Sequence, residues 1–239
     1  MKKILCILCL FILLNGCAKE EVSKNEKEYE VKTYVTEEMV EYTKDQGYVM
    51  ADFHEDYHKY EYLNKNMSNL IIGTVVTIDD IQYEKDMFMP YTKGTIFVQK
   101  TLYGKDIEND MIEFVRAGGY MTMEQFNAAS PKEDVEKRER LCKENGGDCD
   151  YKNQYVKFQF ENDIEIEAGK TYLMYIGETK TKGIYTLFAL EAGLKEININ
   201  QTKTVRQLSL DTKELLVKNN TTGEFTSLEE YLKEALPKK

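Results

Sequence analysis

The run Leu70-Ile71-Ile72-Gly73-Thr74-Val75-Val76-Thr77-Ile78 constrains the fold more than any other stretch of this chain. Its residues alternate with a period of two, so it reads as a buried strand. The even positions, Leu70, Ile72, Thr74, Val76 and Ile78, form one mainly apolar face, and Ile71, Gly73, Val75 and Thr77 form a mixed one. The rest of the chain reads as built against this strand.

Downstream, Thr92 to Leu102 reads as a second strand, with Ile96 and Val98 on one side. Tyr103-Gly104-Lys105 turns it, and Met111 to Val115 makes a third strand closed by Gly118-Gly119, residues that reach backbone angles costly to others. Strands resume at Tyr155, where Val156, Phe158 and Phe160 alternate with Tyr155, Lys157 and Gln159. Ala168-Gly169-Lys170 turns into Thr171 to Gly177. Ile184 to Leu190 returns with Ile184, Thr186, Phe188 and Leu190 on one face, and Leu194 to Ile199 suggests a short final strand.

Between the third and fourth strands lies an excursion, Tyr120 to Gln154. Ser130-Pro131-Lys132-Glu133 supplies a serine N-cap, a proline at the first helical position and a glutamate three residues after the cap. These predict a helix running to about Glu144 and stopping at Gly146-Gly147. Earlier, Thr36 followed by Glu37-Glu38 predicts a short helix. Tyr42, Tyr48, Tyr57, Tyr60 and Tyr62 crowd the segment after it, and packing of that segment against the sheet is the expected use of these rings. Ser227-Leu228-Glu229-Glu230 is a capping box opening a C-terminal helix over 228–236, with Leu228, Tyr231, Leu232 and Ala235 as its apolar stripe. The fold class that follows is mainly β with added helices: an antiparallel OB-like barrel with a helical insertion between strands and a C-terminal helix.

The chain start carries a different message. Lys2 and Lys3 precede an apolar run from Ile4 to Leu14, and Leu14-Asn15-Gly16-Cys17 follows directly. That run is shorter than the roughly 20 residues a spanning helix needs, so it reads as a secretory signal. Leu14 to Cys17 resembles a bacterial lipobox, in which Cys17 takes a diacylglycerol and becomes the new N-terminus after cleavage. Each buried methylene of such chains contributes about 0.8 kcal/mol, so several chains hold a protein at a membrane durably. The expected organisation is therefore a lipoprotein signal peptide (1–16), a charged tether (17–32), a helical or irregular segment (33–66), an OB-like β domain (67–200) containing the 120–154 insertion, and a C-terminal extension (201–239). The expected location is the extracytoplasmic face of a cell membrane.

Removing residues 1–16 leaves 30 basic against 42 acidic side chains, a formal charge of −12. Such a domain repels nucleic acid at long range, which excludes it as a partner. Cys6 and Cys9 leave with the signal and Cys17 is spent on lipid, so Cys142 and Cys149 remain, and pairing is the expectation for an exported chain. Their short loop predicts about 2–3 kcal/mol of stabilisation. His54-Glu55-Asp56-Tyr57-His58 fits the pattern HExxH, which on a helix would offer His54 and His58 to zinc with Glu55 as base. Asp52, Asp56 and Lys59 deny it apolar flanks, however, and Leu70 to Ile78 places a strand where a zinc hydrolase would need its second helix. Asp148-Cys149-Asp150 begins like a calcium loop, but Lys152 sits where a third oxygen ligand is needed. No glycine-rich phosphate loop or GxSxG turn is present, and no cofactor is implied.

The runs NLIIGTVVTI (Asn69 to Ile78), YTKGTIFVQKTLYG (Tyr91 to Gly104), Gly118-Gly119 and AGKTYLMYI (Ala168 to Ile176) look like a loose group of uncharacterised exported lipoproteins of Firmicutes. The layout is similar to netrin-like OB barrels, and that resemblance implies binding of a protein partner without catalysis. The functional expectation is a non-enzymatic, membrane-anchored binding or accessory module for a protein, peptide or glycan, with a zinc-dependent hydrolase using residues 54–58 as the alternative. A mass spectrum of the membrane-extracted protein checks the anchor: cleavage before Cys17 with a diacylglycerol mass on its thiol is expected, and an unacylated Cys17 overturns the localisation.

Overall fold

The computed structural model describes residues 27–48, 59–84, 87, 89–147, 149–161, 163–188 and 192–237. In chain order the elements are β1 (Tyr29–Glu30), β2 (Lys32–Thr33), α1 (Glu37–Thr43), α2 (Tyr60–Asn66), β3 (Asn69–Gln82), β4 (Tyr91–Tyr103), β5 (Met111–Ala117) and β6 (Gly119–Thr122). There follow α3 (Met123–Ala129), α4 (Lys132–Glu144), β7 (Tyr155–Phe158), β8 (Thr171–Glu178), β9 (Ile184–Leu187), β10 (Leu194–Glu196), β11 (Thr204–Val205), β12 (Leu216–Lys218), β13 (Phe225–Ser227) and α5 (Leu228–Ala235). The protein is mainly β, with helices added around one large sheet.

That sheet is organised by β3. It pairs antiparallel with β4 along one edge and with β8 along the other. β4 pairs antiparallel with β5, β5 parallel with β9, and β9 antiparallel with β8. Pairing that leaves β3 through β4 therefore passes β5, β9 and β8 and returns to β3. β10 extends the sheet beside β8, and β2 lies parallel to the distal part of β3 at Thr77 and Ile78.

Both faces of β3 are buried. Ile71 and Val75 point into the larger core with Ile96 and Val98 of β4, Phe114 of β5, Tyr172 and Met174 of β8, and Leu187 of β9. Leu70 and Ile72 point the other way, into a second core with Leu173 and Tyr175 of β8. A register shift between Val75 and Thr77 inserts one extra residue, so Ile78 joins the larger core although it is out of phase with Val75. The face expected to be the apolar one thus covers the second core, and the mixed face lines the larger. The same inversion occurs in β9, where Tyr185 and Leu187 are the buried residues, while Ile184 and Thr186 are only partly buried. The pairing of Leu187 with Ile176 fixes that parity. Leu190 lies outside the described residues.

The second core is roofed by the C-terminal segment and α2. Leu63, Leu215, Val217, Leu228, Tyr231 and Ala235 close over Leu70 and Ile72, and each such fully buried aliphatic side chain contributes about 1.5–3 kcal/mol. Ser227 Oγ accepts the Glu230 amide at 3.2 Å and starts α5 where its sequence predicts. Tyr60 packs edge-on against Tyr231 with ring centroids 5.6 Å apart, and Asn64 Nδ2 donates to the Ala235 carbonyl at 2.7 Å. The apolar stripe of α5 is therefore spent inside the protein and is not a surface offered to a partner. A polar clamp holds the approach to this segment: Gln99 Nε2 donates to Thr74 Oγ1 and the Arg206 carbonyl, while its Oε1 accepts the Leu208 amide.

Two further expectations change. The tether expected to reach Lys32 ends earlier, because β1 pairs with β11 and β2 with β3, and Val31 between them packs against buried residues. Ser130 does not cap the insertion's long helix. Its hydroxyl donates to the Phe126 carbonyl at 2.8 Å and closes α3, leaving Pro131 as the N-cap of α4.

An ion-pair network ties β8, β10 and β12 together. Lys170 Nζ contacts Glu167 Oε1 at 3.0 Å and Glu196 Oε1 at 2.7 Å, and Lys218 Nζ contacts Glu196 Oε2 at 2.9 Å. The hydrogen bond from Lys170 lowers the pKa of Glu196 against the opposing effect of burial. For Lys170, burial alone would lower the pKa, and the hydrogen bonds to Glu196 and Glu167 outweigh it to give a raised value. The contribution of Glu196 is full above its ordinary pKa of 4.5 and is lost as pH falls through its depressed folded value. That of Lys170 is full below 10.5 and lost as pH rises through its raised one. Urea midpoints measured from pH 7 down through this acid range should fall less steeply for Glu196→Gln than for the wild type. Parallel curves would exclude the network as a stabilising element.

Candidate functional site

Polar groups converge at the end of the larger core, where β5 hands over to β6. Inward positions on β5 are Ile112, Phe114 and Arg116, so the strand's alternation carries a cation into a buried position. Arg116 is 6 % exposed; its guanidinium contacts Asp163 Oδ1 at 2.5 Å and donates to the Ile164 carbonyl at 3.1 Å. Its Nε has no hydrogen-bond partner among the described residues. Gly118 and Gly119 turn the chain beside it with φ of 94° and 132°. A Cβ at Gly119 would lie 2.1 Å from Thr92 Oγ1, and one at Gly118 2.6 Å from the Phe158 carbonyl. Only glycine fits both positions, and Thr92 Oγ1 donates to the Gly118 carbonyl at 2.6 Å to fix the turn.

Tyr34 enters from the N-terminal segment, its hydroxyl donating to the Tyr120 carbonyl at 2.7 Å. Lys157 of β7 pairs with Glu165 at 3.0 Å and lies 5.1 Å from the centre of the Tyr120 ring. Burial pushes the Tyr34 phenol up to about 12. Burial first, and then the nearby Glu165 carboxylate, push Tyr120 higher still. Both phenols are therefore neutral at physiological pH, and that of Tyr34 serves as a hydrogen-bond donor. The cavity between these residues is about 30 Å³, which accommodates about one or two waters. Chemically, the arrangement is a latch: two opposite-charge pairs hold the 163–166 segment against the end of the sheet.

The insertion departs from this end. β6 and β7 form its base as a two-stranded ladder with Gly119 opposite Phe158 and Thr122 opposite Tyr155. Thr122 and Gln125 cap α3 reciprocally, a T-x-x-Q signal legible in the sequence. Phe126 stacks on Tyr83 and tilts against Phe158, and Arg138 lies 4.7 Å over the Phe126 ring, joining α4 to the sheet end. α4 itself has no buried residue. Cys142 in its last turn is disulfide-bonded to Cys149 with Cα atoms 5.9 Å apart, which ties the helix end to the returning chain.

Cys17, His54 and His58 lie outside the described residues. Among the described residues no cluster of three or more His, Cys, Asp or Glu side chains is placed to hold a metal, and no helix is long and apolar enough to cross a membrane. Of the tyrosine group, Tyr57 lies outside the described residues, and Tyr42 and Tyr48 are exposed. Tyr42 packs edge-on against Tyr155 and Tyr60 edge-on against Tyr231, while Tyr62 is tilted against Phe188. No family model, curated protein or solved structure matches this chain.

The Arg116–Asp163 pair was legible only in half. A charged side chain in phase with Ile112 and Phe114 marks an inward cation, whereas nothing near Asp163 announces its partner. Because both groups are almost fully buried, removing one should be costly: Arg116→Met should lower stability by about 3–5 kcal/mol in urea unfolding, and Arg116→Met with Asp163→Leu should recover most of that loss. A single variant within about 1 kcal/mol of the wild type would rule the latch out.

Proposed function

We propose that this protein is a lipid-anchored, extracytoplasmic binding module in which an OB-like barrel presents the 120–154 insertion to a protein, peptide or glycan partner, without catalysis. Support for the OB-like reading comes from the order of pairing, β3–β4–β5–β9–β8 and back to β3, with β5 and β9 parallel and a helical insertion between β5 and β8. Support for the anchor comes from Lys2-Lys3, the apolar run to Leu14 and Gly16-Cys17.

The observation that carries the binding role is α4. It spans 13 residues, none of them fully buried, and is held at its middle by Arg138 on Phe126 and in its last turn by the Cys142–Cys149 bond. A helix that adds nothing to the core yet is pinned twice has its outer face held ready for contact, so ordering that surface costs little at the moment of binding. Fold alone assigns no partner. The small cavity and the paired charges beside it position the insertion and leave recognition to its surface.

Replacing residues 131–150 with a short Gly-Ser linker tests this reading. The variant should keep a cooperative thermal transition, because no residue of α4 is fully buried, and should lose the partners that the wild type retains when crosslinked in membranes. An identical set of crosslinked partners would overturn the insertion as the binding surface.

A further inference from the structure

Most of the polar groups that line the cavity beside the Gly118-Gly119 turn are already committed. Thr92 Oγ1 donates to the Gly118 carbonyl, the Tyr34 hydroxyl to the Tyr120 carbonyl, and Gln159 Nε2 to the Asp163 carbonyl at 2.6 Å. Lys157 Nζ is held by Glu165. Two groups are left over, and both belong to side chains that are more than nine-tenths buried. Arg116, which stays charged, keeps its Nε–H without an acceptor among the described residues. The Tyr120 hydroxyl, on a residue 3 % exposed, faces the Glu165 carboxylate without reaching direct hydrogen-bond geometry. A buried donor that gives up water and gains no acceptor is destabilising, so protein interiors satisfy such groups with other protein groups or with ordered water.

We propose that this cavity is a hydration site for one or two ordered waters, which accept from Arg116 Nε and pass the hydrogen bond through the Tyr120 hydroxyl to Glu165. Its volume of about 30 Å³ suits that number. A buried water needs two to four polar partners, and Arg116, Tyr120 and Glu165 supply three. An ion fits worse. Arg116 is matched by Asp163 and Lys157 by Glu165, so an anion would meet two carboxylates and a cation two basic groups. Dry cavities are apolar throughout, whereas Ile78, Ile164 and Ile166 supply only part of this lining. Bridging water is nearly as good as a direct bond, and here it joins the two ion pairs of the latch into one network. That network spans β5, β6 and β7 through Arg116, Tyr120 and Lys157. The site is independent of the partner binding proposed above, and failure of either leaves the other standing.

Crystals of the full mature chain, at a resolution that shows internal water, test the site directly. Compact water density is expected within about 3.2 Å of both Arg116 Nε and Tyr120 Oη. Density missing from either group, density of a larger molecule, or a direct Tyr120–Glu165 hydrogen bond beside an unaccompanied Arg116 Nε overturns the proposal. Urea unfolding supplies a second reading in solution. Tyr120→Phe keeps the ring and removes the hydroxyl, so the folding equilibrium constant should fall about fivefold, as loss of one net hydrogen bond implies. Arg116→Lys keeps a cation for Asp163 and removes Nε from the bridge, so in that background Tyr120→Phe should cost less than about twofold. An equal loss in both backgrounds, or a constant that is unchanged or raised in Tyr120→Phe alone, counts against the bridge and overturns it. Should Arg116→Lys not fold, the density and the single Tyr120→Phe variant decide.

Discussion

A single strand carries backbone pairing along both edges and apolar burial on both faces. β3 is hydrogen-bonded to β4 and to β8, while Ile71 and Val75 enter one core and Leu70 and Ile72 another. A strand buried on both sides cannot slip by one residue without exchanging its two sets of side chains between cores of different shape, so its register is fixed from four directions. The remaining strands inherit their positions from it. The extra residue between Val75 and Thr77 bends the strand and lets Ile78 rejoin the larger core after the phase has changed.

Because the second core needs a roof, the C-terminal segment is part of the fold's interior. Leu215, Val217, Leu228 and Tyr231 supply apolar area, and Gln99, Asn64 and the Lys170–Glu196–Lys218 network supply direction. Apolar contacts are non-directional, so the hydrogen bonds and ion pairs select which of many greasy arrangements is adopted. Docking of α5 to an external partner is thereby disfavoured, since its apolar side is already covered.

At the opposite end, buried charge and glycine geometry do comparable work. Arg116 and Asp163 satisfy each other where neither could remain alone, and the Gly118-Gly119 turn brings β6 close enough for Tyr120 to meet Tyr34. From that fixed platform the insertion projects, joined by the Phe126 cluster and closed on itself by its own disulfide. The core of the protein thus makes one end rigid and leaves α4 exposed upon it.

Local pattern specifies the elements: the alternation of β3, β4 and β8, the Ser227 box of α5, the helix ending near Glu144 and the pair of cysteines that flank its end. These are legible because they are local, resting on periodicity, caps and spacing within a few residues. It did not determine which face of β3 or β9 lines which core, since alternation marks two faces and burial of both removes the polar contrast that would rank them. It did not reveal that Ser130 closes α3 before α4 begins, because two helices compete for one hydroxyl. Only the tertiary structure decided that Arg116 meets Asp163 across 47 residues and that Gln46 reaches the edge of β7 across 109. Such pairings depend on how distant segments are folded against one another, and no local pattern in the chain encodes that distance.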